Sequence, residues 1–254
     1  MARAGHRLRG LRSALTLGGQ VPAAVGGLLA ALLLLTLGAT VEPSLGALLV
    51  LDLGDGWGLL QPWRYLTWPF VEGPLPASLI TLLFAGLMLV WLGRQLTAAW
   101  GERGLLLRVA AITGGASLLT VLLLAPFGWE QRVHGIWPLV NALLVCWGLL
   151  YEEQRISWFG VVEMRGLTVA RIIGWGTPVW ALLLGPPGLG PLERLAVYTP
   201  HLGGLLVAWL LVGTGPRRGW RRVTGRWREA RLKKARSRFE VVDPGPRPPR
   251  EWMN

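Results

Sequence analysis

Apolar residues in this chain neither alternate nor keep to one side of a helical wheel; they gather into long unbroken runs. Six stand out, at residues 21–41, 77–100, 105–125, 135–150, 169–184 and 195–212. A helix rises about 1.5 Å per residue, so about 20 apolar residues cross the hydrocarbon of a bilayer. The fourth and fifth runs are shorter, and cross where the bilayer thins to meet them. Hydrocarbon offers the backbone no hydrogen-bond partner, so each run is expected to be helical. The pattern predicts an all-α integral membrane protein: a short N-terminal segment (1–18), a bundle of six transmembrane helices (19–214) and a tail (215–254).

One connection breaks the rule that connections are polar. The stretch "EPSLGALLVLDLGDGWGLLQPWRYLTWPFVEGPLP" is too apolar for a solvated loop and is expected to lie partly in the membrane interface. Of the 15 tryptophans, Trp63, Trp68, Trp100 and Trp129 fall at run ends, where an amphipathic indole favours the headgroup layer. The first run follows a basic flank, as a signal peptide does, but its length and the runs beyond it favour retention as a helix. Cys146 is the sole cysteine, so no disulfide forms within the chain.

The 254 residues carry a net charge of +12, and its distribution matters more than its size. Arg3, Arg7, Arg9 and Arg12 precede the first run, and eleven Lys/Arg lie between Arg217 and Arg238. Basic residues favour the cytoplasmic side, which places both termini there, as an even number of spans requires. The charge therefore points to membrane topology rather than to nucleic acid. In "RRGWRRVTGRWREARLKKARSRF", Trp220, Val223, Trp227 and Ala230 recur at helical spacing among arginines. That reads either as an amphipathic helix on anionic lipid headgroups or as a plain stop-transfer flank. Beyond Asp243 the composition is that of a disordered end. With no organelle-targeting pattern, the expected location is a bacterial inner membrane, multi-pass.

Several short motifs carry a chemical suggestion. "PWRYLTWPFVEG" supplies Trp63 and Arg64, the second run holds Gly93 followed by "WGERG", and the last run opens "HLGGLLVA" with His201, Gly204 and Ala208. In order and spacing these resemble the rhomboid family of intramembrane serine proteases, across most of the six-helix core. The resemblance implies a serine on the fourth span, within Gly-x-Ser-Gly, activated by a histidine on the sixth. It also implies oxyanion helpers, His and Asn, on the second span.

Those places are filled differently here. "GIWP" (Gly135, Ile136, Trp137, Pro138) stands for Gly-x-Ser-Gly, so an indole occupies the nucleophile's place. Thr81 and Ala85 stand for the oxyanion helpers, and Asn141 stands where the family often stacks an aromatic on the histidine. Cys146, nine positions beyond Trp137, is deeper and on the opposite face; Ser78 and Ser117 are expected to bond helix backbone or neighbours. The expected protein is a rhomboid-like pseudoprotease that retains His201 without a partner and binds transmembrane segments of client membrane proteins, affecting their stability or trafficking. Asn141, Gly86, Gly174 and Gly176, with Pro178, are the candidate client contacts, against a plain packing role for the glycines. The alternative is an active intramembrane serine endopeptidase with a displaced nucleophile. A transporter finds little support, since the runs hold few ionisable residues and no inverted repeat. No cofactor is expected, and His134 with His201, lacking carboxylates or cysteines beside them, make no metal site.

Overall fold

The structure, a computed structural model, describes residues 21–56, 58–158 and 162–213. The expected basic N-terminal segment and basic tail lie outside the described residues. Every apolar run is helical: α1 (Ala23–Val41), α4 (Leu79–Leu124), α5 (Trp137–Leu150), α6 (Gly166–Leu184), then α7 (Pro191–Val197) and α8 (Thr199–Val212). Short helices α2 (Pro43–Leu49) and α3 (Arg64–Thr67) fall in the connection after α1. Three helices, α1, α4 with its continuation to Phe127, and α6, are long and apolar enough to cross a membrane. The pair α7 and α8, bent by 61°, adds a fourth if taken as one span, and α5 is a shorter apolar helix. The protein is a helical membrane protein.

α4 counts 46 residues, about 69 Å if straight and more than twice the hydrocarbon thickness. It is not straight. Gly101 sits at φ 72°, ψ 166°, a conformation that a side chain resists, and divides the element into arms 79–100 and 102–124. The arms run in opposite directions, as their partners show. Glu102 accepts a bond from the amide of Ala23 at the start of α1, whereas Thr36, near the far end of α1, donates to Phe70 O. Ser117, late in the second arm, meets Trp68 in that same far region.

The apolar connection after α1 is folded rather than loose. β1 (Leu51–Asp52) pairs antiparallel with β2 (Arg132–Val133), setting Leu51 opposite Val133. Leu51, Leu53, Trp68, Ala116, Leu124, Val133 and Ala196 form a small core of their own there. Near the other end of α5, β3 (Arg155–Trp158) and β4 (Val162–Arg165) make a hairpin, with ion pairs Arg155–Glu163 at 3.5 Å and Arg165–Glu153 at 3.4 Å.

α5 is the centre of the main core, packed by α8, α6 and α4. From Pro138 to Leu149 every residue but Asn141 is buried. Among lipid chains no hydrophobic force drives helices together, so close approach of small residues carries the packing. The contacts fit. Gly204 of α8 lies against Pro138 O and Ala142, where an added Cβ would stand 3.4 and 3.6 Å away. Gly148 of α5 similarly abuts Gly166 and Ala170 of α6, and Gly93 of α4 abuts Val25 of α1.

Candidate functional site

The expected site lies where the head of α5 meets α8. Two elements hold that head. Gly135, at φ 101°, lets the chain turn into the helix, and its amide donates to Trp68 O (3.2 Å) and Val71 O (2.9 Å). The Ile136 amide donates to Glu72 Oε1 at 2.7 Å, so a carboxylate caps the positive end of the helix dipole. Glu72 is itself anchored, its amide donating to Thr36 Oγ1 at 3.1 Å. Glu72 and Thr36 escaped the sequence reading, because each is an ordinary polar residue until the fold sets it beside α5.

Trp137 is the first residue of α5 and is 38% exposed. Asn141, one turn further, is half-buried. Before Leu150 these two are the only residues of α5 that reach its surface, and i, i+4 spacing puts them on one stripe. The Asn141 amide, with donors and acceptors both, bonds to no other described residue.

His201, half-buried one turn before Gly204, turns to the residue that caps its own helix: its ring lies 5.1 Å from that of Tyr198, at 37°. Its Nδ1 is buried without a hydrogen-bond partner. Among the described residues no ring contact or hydrogen bond joins it to Trp137, nor does any hydroxyl or thiol bond to it. The hydroxyls considered as substitutes are engaged elsewhere. Ser117 accepts from Trp68 Nε1 (2.7 Å) and lies against Tyr65 O (2.9 Å) and Thr113 O (2.8 Å). Ser78 donates to Gly73 O at 2.7 Å, and Cys146 is fully buried in the main core. His134 is exposed in the loop after β2, and among the described residues no three His, Cys, Asp or Glu side chains gather to hold a metal ion.

The remaining motif residues take structural places. Trp63 Nε1 donates to Leu48 O at 3.0 Å. Arg64 is 4% exposed, donates to Gln61 Oε1 at 2.8 Å and pairs with Asp55 at 3.3 Å, so its charge ties the folded connection together. Ala208 is fully buried in the main core. Ala85 is also fully buried on α4, and Thr81, one turn earlier, is half-buried with no hydrogen bond to another described residue.

The candidate client contacts separate. Gly86 faces α1, with Leu29 3.7 Å from an added Cβ. Gly174 and Gly176 on α6 meet nothing within 4 Å. α6 packs on α5 and α7 and scarcely touches α4. Trp175 and Trp180 stand exposed along α6, on either side of Pro178. No family model and no curated protein matches the sequence.

Proposed function

We propose that this chain is a six-span, rhomboid-like pseudoprotease that holds transmembrane segments of client membrane proteins without cutting them. The six-span count takes the two arms of α4 as separate spans, α5 as a short central span and α7–α8 as one bent span. Both termini are then cytoplasmic, in a bacterial inner membrane on the expectation above.

The observation that carries the reading is the stripe on α5. A helix otherwise buried as far as Leu149 keeps an indole and an unpaired amide accessible, one turn apart. A client segment unwound at a glycine or proline carries backbone groups that hydrocarbon cannot satisfy, and Asn141 offers both donor and acceptor to them. Gly174 and Gly176, with nothing near them on α6, let a client helix approach closely there. The unpartnered His201 nitrogen and the engaged Ser117 and Ser78 speak against acyl transfer, which needs nucleophile and base at hydrogen-bond distance.

Photocrosslinkers at Asn141 and at Gly174 test the binding. The expected result is the same membrane-protein adducts from both positions and none from Leu34 on the exposed face of α1. Lipid adducts alone from Asn141 and Gly174 would contradict it.

A further inference from the structure

A second opening, away from the α5 stripe, lies between the end of α4's second arm and the α7–α8 elbow. It is a groove of about 540 Å³ whose walls include Leu119, Leu123, Phe127, Leu192, Leu195 and Leu206. Its lining is almost wholly apolar; the hydroxyl of Thr199 is turned to Leu195 O at 3.2 Å. Phe127 and Leu192 stand 78% and 80% exposed at its sides, a costly display in water but not in hydrocarbon.

We propose that this groove is a resident-lipid site, taking one acyl chain of a glycerophospholipid from the leaflet nearest Trp129. Four features select that occupant. The groove is cut into helices apolar enough to cross a membrane, so hydrocarbon is the medium at its side. A helix with its side chains is about 10–12 Å across, so the volume accepts roughly one turn of it. An acyl chain bends with the 61° elbow, as a straight helix does not. Lastly, Trp129 lines the groove at the end where α4 terminates, and its indole N–H has no partner among the described residues. That donor sits where a lipid ester or phosphate oxygen lies when its chain runs inward, the usual station of an interfacial tryptophan.

The full-length protein in nanodiscs containing a phosphatidylethanolamine with a diazirine in one acyl chain tests this. Photolysis should concentrate label on peptides spanning 119–127 and 192–206. Leu123→Trp or Leu206→Trp, each filling the groove from an exposed position, should cut that label about fivefold, equivalent to ~1 kcal/mol of binding. Leu183→Trp, on the exposed face of α6, should leave it unchanged; thermal unfolding of all three verifies their fold. Label spread evenly over exposed helix faces and indifferent to the groove variants would overturn the proposal. So would a photocrosslinker at Leu123 that joins another polypeptide in place of lipid.

Discussion

Trp68 and Ser117 are joined at 2.7 Å although 49 residues apart, and both are buried. Ser117→Ala leaves the indole N–H without an acceptor where water does not reach. The expected loss is about 1–2 kcal/mol, read by thermal or denaturant unfolding in detergent. Removing the cap of α5 by Glu72→Ala should cost about 1 kcal/mol in the same assay, while Glu72→Gln, which keeps an acceptor, should recover part of it. Glu42, just beyond α1, titrates below the ordinary carboxylate range because the hydroxyl and then the amide of Ser44 donate to it. A depressed folded value means that its contribution holds at neutral pH and fades as pH falls through that value. Ser44→Ala should move the Glu42 titration upward, visible by carboxyl NMR. The Ser44 contact is readable in the chain, two positions from Glu42. The Glu72–Ile136 and Trp68–Ser117 contacts are not, since no local pattern marks polar residues whose partners arrive only on folding.

Among elements, the runs of apolar residues place the helices to within a few positions, because in hydrocarbon continuity of apolar sequence is itself the condition for a helix. Gly101 is the instructive exception. It lies within "WGERG", between the second and third runs, yet helical geometry resumes directly on both sides, so the turn is one residue rather than a loop. The β3–β4 hairpin and the folded connection after α1 left no comparable mark, since their strands are short and bounded by contacts rather than by periodicity. Glycines test how elements meet. Gly148→Ala drives a methyl into Gly166 and Ala170 and should destabilise by about 1–3 kcal/mol. Gly174→Ala meets open space and should instead be neutral, or stabilise by about 0.5–1 kcal/mol through helix propensity. Equal destabilisation by both would contradict the free space around Gly174.

For the whole molecule, the head of α5, which carries Trp137 and Asn141, lies against α8, where Gly204 meets Pro138 O and Ala142. The contact of His201 with Tyr198, three positions earlier, is local to one helix, whereas the stripe that leaves Asn141 accessible depends on how α5 is rotated against its neighbours, which sequence spacing alone leaves open. The proposed function rests on the accessible Asn141 of α5 and on the lack, among the described residues, of a hydroxyl or thiol bonded to His201. The most direct test is purified protein reconstituted in vesicles with a membrane-anchored reporter that it crosslinks through Asn141. The expected result is a reporter that stays intact over prolonged incubation, with the same recovery from the His201→Ala variant. Cleavage of the reporter that disappears with His201→Ala would contradict it.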